Sequence, residues 1–327
     1  MQSRNVAYLD KLDHLRFFAA AIVIEYHAGY WFPGYQPIPI FAHGYVGVSL
    51  FMVLSGMIFG IITYGKTIDP WRFYLNRVLR IYPLLVVVVA LGYFSVPVPA
   101  TIGDFLLALM PVSNVARLNY GPYGGVLFST AIELQFYLLL PMLLGRKWLV
   151  GLVAFLILLR TMVWLLNGTV YELAYLSIFG SLDLFVIGLL AGNFYAGRLT
   201  SWKPRAWLLF LLLLGITEGL YWLDVGKDSA LWIIWPTVQG IAFAALALIY
   251  LDAPWRCAPL AYLGKISYSL YVWHSIVFML AVKYHQPLLV WPATIAISAA
   301  SYKLIEEPFL SLRVRYVKTP ESTPASS

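Results

Sequence analysis

The segment YLDKLDHLRFFAAAIVIEYHAGY (residues 8–30) places a cation and an imidazole on one apolar predicted helix. Arg16 and His27 are eleven residues apart, almost three turns of an α-helix, so both side chains point to nearly the same side with roughly 16 Å of axial rise between them. A histidine titrates near neutral pH and is suited to take a proton from a hydroxyl group. Taken singly, His27 could be a residue at the membrane interface whose hydrogen bonds are satisfied. Arg16 alone could be a basic residue that flanks a membrane helix and reaches lipid phosphates. The pair favours a functional site, because ionisable groups inside a membrane are costly.

A second group of cations lies in YGKTIDPWRFYLNRVLRIYP (residues 64–83). Arg77 and Arg80 are three residues apart and therefore adjacent on a helix face, and Arg72 adds a third cation nearby. Several guanidinium donors at a helix entrance are suited to bind the oxygens of phosphate groups. The alternative interpretation is an ordinary basic flank on the cytoplasmic side of a membrane helix.

Carboxylates occur inside two apolar segments, Glu133 in FSTAIELQFYLLLP and Asp183 in SLDLFVIGLL. A carboxylate in such a helix must pair, protonate or meet water. Glu133 is therefore a candidate to orient a histidine, to act as a base, or to hold a bundle together through an arginine. The sequence indicates no partner for Asp183. Glu25 lies about 200° around the helix from His27, so no direct contact between these two residues is expected.

Polar residues also form a stripe in LGKISYSLYVWHSIVF, where Ser267, Tyr271 and His274 fall on one helix face. This stripe is either part of a substrate pocket or hydrogen-bonding glue between helices. Small residues line another predicted helix and indicate close helix packing, or else room for a slender ligand. They are Gly47, Ser49, Ser55, Gly56 and Gly60.

The elements that position these residues follow from composition. Hydrophobic residues make up 61% of the 327 residues and charged residues only 11%, which excludes a soluble globular protein of this size. The length allows about ten membrane-spanning helices of about 20 residues each. We therefore predict an all-α fold, a polytopic transmembrane bundle of about ten helices. The predicted spans are 13–31, 44–62, 78–95, 126–145, 148–166, 173–195, 206–223, 230–250, 266–284 and 288–309.

The distribution of lysine and arginine predicts the orientation of this bundle. With the N-terminus in the cytoplasm, seventeen basic residues fall on the cytoplasmic side and only Arg117, Lys227 and Lys283 fall outside, while Arg160 and Lys303 fall within predicted spans. This asymmetry follows the positive-inside rule and places both termini in the cytoplasm. The net charge of +7 is therefore attributed to topology, and no nucleic-acid partner is expected.

One domain, residues 1–310, is expected, followed by a disordered cytoplasmic tail over 311–327 that contains KTPESTPASS. The outside connection 96–125 is predicted to form either a lid or acceptor groove, or an interfacial segment. No cleavable signal peptide is evident, so the first helix is expected to remain in the mature protein. The single cysteine, Cys257, excludes an intramolecular disulfide and a cysteine metal cluster, and no metal site is predicted.

Five motifs in order resemble the integral-membrane acyltransferase 3 family over nearly the whole chain. LDHLRFFAAAIVIEYHA is similar to the family's Arg, ten residues, His signature, and NRVLRIYP to its Arg-x-x-Arg-Ile-Tyr-Pro element. GVSLFMVLSG, SYSLYVWH and EEPF resemble its second-helix, ninth-helix and C-terminal signatures. The chain departs from the family pattern at two places. In the fourth-helix element, Phe128-Ser129-Thr130 precedes Glu133 where the family has Trp-Ser-Leu. In the first helix, Glu25 is a residue that is not expected in the family.

The resemblance implies transfer of an acyl group, commonly acetyl, from cytoplasmic acyl-coenzyme A to a hydroxyl of a sugar, glycolipid or other small molecule. It implies no permanently bound cofactor. Acyl-coenzyme A would be a co-substrate held by Arg77, Arg80 and Arg72, with Arg16 at the same cytoplasmic entrance of the bundle. A pantetheine arm is on the order of 15 Å when extended, similar to the rise from Arg16 to His27.

In the catalytic roles that the resemblance implies, His27 acts on the acceptor hydroxyl together with Arg16 and Glu133. His27 is either a general base, which we favour, or a transient acyl carrier, and Glu133 would orient its ring. His274, Tyr271 and Ser267 are candidates to bind the acceptor. The other partners implied are a carbohydrate or glycolipid acceptor and membrane lipids, with a bacterial inner (cytoplasmic) membrane as the location.

The strongest rival hypothesis is a transporter or flippase for a lipid-linked saccharide, since a bundle with central charges also describes carriers. Broken spans in matched halves are not evident, and the basic cluster lies at one face, which favours the enzyme. A catalytically inactive membrane scaffold is a third possibility, disfavoured by the presence of both Arg16 and His27.

Overall fold

The computed structural model describes residues 9–33, 35, 44–95, 101–114, 124–197, 211, 226–254 and 256–318. Nearly all of its regular structure is helical. The α-helices are α1 (Asp10–Trp31), α2 (Gly44–Thr63), α3 (Pro70–Ser95), α4 (Ile102–Leu109), α5 (Gly124–Leu143), α6 (Leu149–Asn167), α7 (Tyr171–Leu176), α8 (Ile178–Ala196), α9 (Trp235–Leu251), α10 (Ala258–Lys265), α11 (Ser267–Lys283), α12 (Val290–Ser301) and α13 (Glu307–Ser311). Short 3₁₀ helices, Ala230–Ile233 and Pro287–Leu289, precede α9 and α12, and a π-helical turn, Tyr302–Glu306, joins α12 to α13. Two strands, β1 (Thr67–Ile68) and β2 (Val317–Lys318), pair antiparallel.

The lengths and compositions of these helices confirm an all-α integral membrane protein. Within the described residues, five helical segments are long and apolar enough to cross a membrane, or six if α10 and α11, bent by 68°, form one span. Two further apolar helices, Leu127–Leu143 within α5 and α9, are shorter. The predicted span 206–223 lies outside the described residues except for Leu211. A total of ten spans and the cytoplasmic location of the termini therefore stay predictions.

Helix α3 begins eight residues before the predicted span. Pro70 suits the first helical position, where no intrahelical N–H bond is required, and the Asp69 carboxylate accepts a hydrogen bond from the Arg72 amide at 3.2 Å. The span predicted from the sequence, 78–95, began only where continuous apolar residues begin. The extra turns place Arg72, Arg77 and Arg80 on one helix.

Helices α2 and α8 form the closest helix pair and run parallel. A Cβ atom at Gly56 would lie 2.0 Å from the carbonyl oxygen of Phe185, and one at Gly60 would lie 2.3 Å from that of Leu189. On the facing helix, a Cβ at Gly188 would lie 2.1 Å from the carbonyl oxygen of Val53. The small residues of α2 therefore serve close backbone packing, as the first of the two interpretations predicted.

Helix α1 packs against α2 in the opposite direction and against α10. A Cβ at Gly47 would lie 2.4 Å from the carbonyl oxygen of Ala19, whereas Gly44 faces the Tyr26 ring further along α1. At the other end of α1, Gly264 of α10 lies on the backbone of Asp13, where a Cβ would be 1.7 Å from the carbonyl oxygen. These contacts fix α1 at the centre of the bundle, with Arg16 near one end and His27 near the other.

The connection predicted over 96–125 contains the short helix α4. Thr101 and Asp104 form a reciprocal capping box at its start, so the segment has its own N-terminal stop signal. The Tyr82 hydroxyl donates to the carbonyl oxygen of Leu109 at 3.1 Å, and the rings of Tyr93 and Phe105 are 5.6 Å apart, which attaches α4 to α3. The LNYGPYGG stretch lies outside the described residues apart from Gly124 and Gly125.

The predicted disordered tail is wrong at its start, because residues 311–318 pack on the bundle. The Asn76 side chain donates to the carbonyl oxygen of Val314 at 2.7 Å and accepts from the Val314 amide at 3.0 Å. Tyr316 is 2% exposed, and its ring meets that of Phe73 at 5.4 Å. Composition alone did not reveal these tertiary contacts. Residues 319–327 lie outside the described residues.

Candidate active site

The two histidines singled out from the sequence form a pair. His27 of α1 and His274 of α11 stack with their ring centroids 5.0 Å apart and an interplanar angle of 17°. Their Nδ1 and Nε2 atoms, respectively, are 2.9 Å apart, which is a hydrogen-bonding distance. His274 is fully buried, whereas His27 is only partly so. His274, predicted as a substrate-binding residue, thus contacts the proposed catalytic residue itself.

The surroundings of His274 define which nitrogen of each ring carries the proton. Nδ1 of His274 lies 2.5 Å from the carbonyl oxygen of Tyr271, and a carbonyl can only accept. In the neutral pair, Nδ1 of His274 is therefore protonated and its Nε2 accepts. His27 must then donate through Nδ1, which leaves the lone pair on Nε2 of His27. The pair presents one basic nitrogen in a fixed tautomer.

A largely apolar cleft, which we call the polar cleft after the polar residues that line part of it, lies between α1, α2, α5, α8 and α11, and its volume of about 500 Å³ includes space open to solvent. Its polar lining residues belong to α1, α2, α5 and α11, which are distant in sequence: Arg16, Ser55, Ser129, Thr130, Glu133, Ser267, Tyr268 and Tyr271. The nearest ionic group to Arg16 is Asp13, at 4.0 Å, which is a weak contact. Tyr271 links the cleft to the histidine pair, since its side chain lines the cleft and its carbonyl oxygen holds His274.

The prediction that Glu133 orients His27 is wrong in this structure. Oε1 of Glu133 accepts hydrogen bonds from the hydroxyl groups of Tyr137 and, at 3.3 Å, Ser55. Ser55 lies in the half of α2 that packs beside the Arg16 end of α1, so Glu133 is held away from His27. The orienting position on His27 is taken by His274.

Glu25 points elsewhere, as its angular position predicted. It accepts hydrogen bonds from the Trp291 indole N–H, at 2.7 Å, and from the Tyr35 hydroxyl.

The polar stripe on α11 divides between two tasks. Tyr271 and Ser267 line the cleft, and the Tyr271 hydroxyl lies 2.5 Å from Oγ of Ser129. Ser267 is fully buried, and its hydroxyl has no hydrogen-bond partner among the described residues. Because a buried hydroxyl without a partner is costly, Ser267 is a candidate to contact a bound ligand.

Arg77 lies in a cage of aromatic rings at the end of α2. Its Cζ is 5.2 Å from the centroid of Phe59 and 5.4 Å from those of Phe73 and Tyr137. Such contacts hold a guanidinium by cation–π attraction. Nε of Arg77 is buried and has no hydrogen-bond partner in the described part of the chain. The cage orients the group and leaves donor capacity unused.

Arg80 is paired with a carboxylate from the other end of the chain. Nη1 of Arg80 lies 3.3 Å from Oε2 of Glu306, which is 1% exposed and also accepts from the Ser269 hydroxyl. Glu306 ends the π-helical turn, a distortion that is often found at functional sites. Arg80 also stacks on Tyr268, with Cζ 5.7 Å from the ring centroid.

Arg313 joins these cations and was missed by the sequence analysis. The Asn76 contacts to Val314 hold its backbone beside α3, and Nε of Arg313 is buried without a hydrogen-bond partner among the described residues. Burial and the neighbouring Arg77 and Arg80 guanidiniums lower the pKa of Arg313. Its sequence signal was hidden because residues from 311 onward were assigned to a tail. We call Arg77, Arg80 and Arg313 the arginine cluster.

Arg72 differs from the other predicted donor-binding arginines. Its side chain is 61% exposed and contacts Asp69, with Nε 3.7 Å from Oδ2. This position is that of a surface residue in the first turn of α3, next to an acid.

A family model described as an acyltransferase domain matches residues 9–302. The chain belongs to the acyltransferase 3 family. Three relatives of 27–28% identity match over most of this chain. BcsY of Komagataeibacter xylinus, named as a membrane-bound transacylase, is 28% identical over 93% of this chain and 83% of its own length. ORF330 of Acidianus two-tailed virus, named as an acetyltransferase, is 28% identical over 82% of this chain and 83% of its own.

The third relative is the peptidoglycan O-acetyltransferase OatA of Listeria monocytogenes, which is 27% identical over 92% of this chain. The match covers only 56% of OatA, so this chain spans about half the length of that relative. No solved structure matches this chain.

In this acyltransferase 3 member, motifs that are far apart in sequence meet in space. The second arginine of NRVLRIYP contacts the first glutamate of EEPF, through Arg80 and Glu306. SYSLYVWH supplies both Ser269, which donates to Glu306, and His274, which contacts His27. Direct contacts thus connect four of the five motifs.

The partner of Asp183, which the sequence did not reveal, is Arg160. Both side chains are fully buried, with Nη2 of Arg160 2.7 Å from Oδ2 of Asp183. Thr237 donates to the same carboxylate oxygen, and Nη1 of Arg160 donates to the carbonyl oxygen of Gly180 at 2.6 Å. Arg160, Asp183 and Thr237 join α6, α8 and α9, so this ion pair is structural.

Proposed function

We propose that this protein is an O-acyltransferase that moves an acyl group, such as acetyl, from acyl-coenzyme A to a hydroxyl of a carbohydrate. The observation that carries the proposal is the His27–His274 pair, which leaves one basic nitrogen at Nε2 of His27. The names of OatA and BcsY support acyl transfer by relatives, and OatA's name specifies a glycan acceptor.

The arginine cluster supports a polyphosphate donor. Within the described residues, the three guanidiniums form one ion pair, between Arg80 and Glu306, and the other two, Arg77 and Arg313, each keep an unused buried Nε–H group. Phosphate oxygens would satisfy these donors and relieve the repulsion between the cations. The nucleotide end of coenzyme A carries such phosphates, and its thioester supplies an activated acyl carbon. Arg72, at the surface, is a lesser contributor.

We propose that the polar cleft connects the arginine cluster to the histidine pair. Helix α2 relates the two regions, because Phe59 contacts Arg77, while Ser55, Met52 and Val48 line the cleft at successive turns. Arg16 and Glu133 lie in the cleft, where we propose that they hold the polar part of the pantetheine arm. This assignment replaces the predicted contact of Glu133 with His27.

The proposed reaction uses His27 as a general base. Nε2 of His27 takes the proton of the acceptor hydroxyl as that oxygen forms a bond to the thioester carbonyl carbon. The carbon–sulfur bond then breaks, and the departing coenzyme A thiolate receives the proton from the imidazolium. His274 accepts from Nδ1 of His27 throughout, which fixes the ring and stabilises its charged form.

The decisive experiment follows radiolabelled acetyl-coenzyme A with protein purified into lipid nanodiscs. Wild type is expected to bind and consume the donor. His27→Asn is expected to bind the donor but not to turn it over, whereas His285→Asn, at an exposed histidine, should behave as wild type.

Arg77→Ala/Arg80→Ala is expected to weaken donor binding. A general base predicts no labelled protein in the absence of acceptor, whereas an acyl carrier predicts label on His27. If wild type neither binds nor consumes acetyl-coenzyme A or longer acyl donors, the enzyme proposal is wrong and saccharide transport becomes the hypothesis to test.

A further inference from the structure

Tyr271 lies next to both the polar cleft and the histidine pair. Its side chain lines the cleft, and its ring centroid is 5.8 Å from that of His274. Of the described residues that line the cleft, neither His27 nor His274 is one. The Tyr271 hydroxyl lies 2.5 Å from Oγ of Ser129 on α5. A donor that extends from the cleft to His27, as the proposed function requires, passes close to Tyr271.

The directions of the helices place Tyr271 one turn before the histidine pair. Helices α1 and α11 run the same way, because Gly264, just before α11, lies on the backbone of Asp13 and His274 contacts His27. Tyr271 precedes His274 by three residues, which is about 4.5 Å of helical rise. Tyr271 therefore lies on the side of the pair from which the proposed donor approaches.

A second hydroxyl on α11 indicates that a ligand lies along this helix. Ser267 precedes Tyr271 by four residues, about one helical turn, and also lines the cleft. It is fully buried, and its hydroxyl has no hydrogen-bond partner among the described residues. A buried hydroxyl in this state is costly unless a ligand provides a partner. The amide and hydroxyl groups of a pantetheine arm would provide one.

Acyl transfer creates a negative charge that His27 does not stabilise. When the acceptor oxygen bonds to the thioester carbonyl carbon, the π electrons of the carbonyl move to its oxygen, and they return when the carbon–sulfur bond breaks. A hydrogen-bond donor aimed at this oxygen stabilises the tetrahedral intermediate. His27 is fully occupied during this step, because Nδ1 donates to His274 and Nε2 holds the proton of the acceptor.

We infer that the Tyr271 hydroxyl donates a hydrogen bond to the carbonyl oxygen of the acyl group. The inference rests on the proposed acyl transfer and adds a catalytic residue to it. Tyr271 keeps its proton throughout, so the transfer of the acceptor proton through His27 is unchanged. Ser129 donates to the tyrosine oxygen in this arrangement, which strengthens the tyrosine as a donor, because hydrogen bonds in a chain polarise one another.

The kinetic test removes the hydroxyl alone. Tyr271→Phe keeps the backbone carbonyl that holds His274 and the ring that packs edge-on against Phe51. It is expected to lower kcat for acetyl transfer about 100- to 1000-fold, with the KM for acetyl-coenzyme A unchanged. Tyr82→Phe, which removes a hydroxyl that donates to the Leu109 carbonyl, is the matched control and should keep the kcat of wild type. Equal kcat values for the two variants overturn the inference.

Infrared difference spectroscopy provides a readout that a purely structural role of Tyr271 would not change. The donor is acetyl-coenzyme A labelled at its acetyl carbonyl and bound in nanodiscs without acceptor. Its carbonyl stretch is expected at a lower frequency on wild type than in solution, because a hydrogen bond weakens the C=O bond. Tyr271→Phe should return the band toward the solution frequency, and Tyr82→Phe should not. The same frequency on wild type and Tyr271→Phe overturns the inference.

A fluorinated tyrosine at position 271 keeps the test informative if Tyr271→Phe does not fold. Its phenol is more acidic and a stronger donor, so the carbonyl band should move to a still lower frequency, and an unchanged band overturns the inference. Turnover by wild type together with full activity of Tyr271→Phe refutes the inference and leaves the proposed function intact. Wild type that neither binds nor consumes the donor refutes the proposed function itself, so the two failures are distinguishable.

Discussion

Nδ1 of His27 lies 2.9 Å from Nε2 of His274, although 247 residues separate the two histidines in the chain. This contact determines which nitrogen of each ring carries the proton. The Tyr271 carbonyl fixes the proton of His274, His274 fixes the proton of His27, and the remaining lone pair of His27 is the only one in the pair without an assigned partner in the described residues. The role of His274 is therefore to position His27.

This positioning role predicts different effects for two substitutions of His274. His274→Leu removes the acceptor for Nδ1 of His27 and is expected to lower kcat about 10- to 100-fold, as for other partners that orient a functional histidine. His274→Gln keeps an acceptor oxygen and is expected to retain more activity than the leucine variant. The measurement is steady-state acetyl transfer in nanodiscs. An increase in the KM for acetyl-coenzyme A, or equal losses in both variants, would contradict a role limited to positioning.

Arg313 provides a sharp test of the donor site, because the same segment contains a matched control. Arg313→Gln removes one guanidinium of the arginine cluster and is expected to weaken acetyl-coenzyme A binding about tenfold or more, since hydrogen bonds to charged groups are strong. Arg315→Gln, at an exposed position two residues later, is expected to bind as wild type. Calorimetric titration with acetyl-coenzyme A and with dephospho-acetyl-coenzyme A measures both. Equal affinities of the two variants would remove Arg313 from the site.

Asn76 tests whether the C-terminal segment must be held in place. Asn76→Ala removes both hydrogen bonds to the Val314 backbone and is expected to cost about 1–3 kcal/mol of local stability. The segment should then exchange amide hydrogens faster from residue 312 onward, and donor affinity should fall. Hydrogen exchange by mass spectrometry reports the first effect. Asn167→Ala, at the exposed end of α6, is the control, and protection that stays unchanged in Asn76→Ala would refute the clamp.

The α2–α8 contact predicts opposite outcomes for two glycine-to-alanine substitutions. Gly56→Ala would place Cβ 2.0 Å from the Phe185 carbonyl oxygen, so the helices must separate, at a cost of about 1–3 kcal/mol or more. Gly151→Ala, in α6 with open space around it, should be neutral or stabilise by up to about 1 kcal/mol. Thermal unfolding in detergent compares the two. An unshifted Tm for Gly56→Ala would show that the helices approach less closely than described.

The buried ion pair of Arg160 and Asp183 predicts rescue by a double substitution. Asp183→Leu leaves an uncompensated guanidinium in the bundle and is expected to cost about 3–5 kcal/mol. Arg160→Met/Asp183→Leu removes both charges and should recover most of that loss. Unfolding and acetyl transfer are measured together, since a structural pair predicts that activity follows the folded fraction. Lost activity in a stable double variant would instead give the pair a functional role.

Local patterns in the sequence revealed those parts of the site that lie on single helices. The eleven-residue spacing of Arg16 and His27 and the three-residue spacing of Arg77 and Arg80 are properties of one helix each, and the resemblance to the family rested on them. The small residues of α2 likewise predicted close packing, because Gly56 leaves no side chain to separate the backbones.

Pairings between helices were not accessible in the same way. Glu133 and His274 both lie in apolar helices. Helical periodicity predicted which helix face each occupies but not its position along the length of α1. The role of orienting His27 was therefore assigned to Glu133, whereas His274 is the residue that contacts it. Arg160 was counted as a charge within a span without its partner Asp183. Arg313 was overlooked because it lies in the segment assigned to a disordered tail, whereas contacts with residues distant in sequence, such as that of Asn76 with Val314, hold this segment on the bundle.

The clamp on Val314 also bears on how the protein is made. A chain released by a premature stop after Ser311 would contain all thirteen helices named above, the His27–His274 pair, and Arg77 and Arg80 of the arginine cluster. It would lack the third guanidinium and β2. Insertion of the helices would be complete, yet on the proposed function the product would hold its donor poorly. Quality control that depends only on helix insertion would not remove such a protein, so a nonsense mutation directly after Ser311 would cause a loss of function without a loss of abundance.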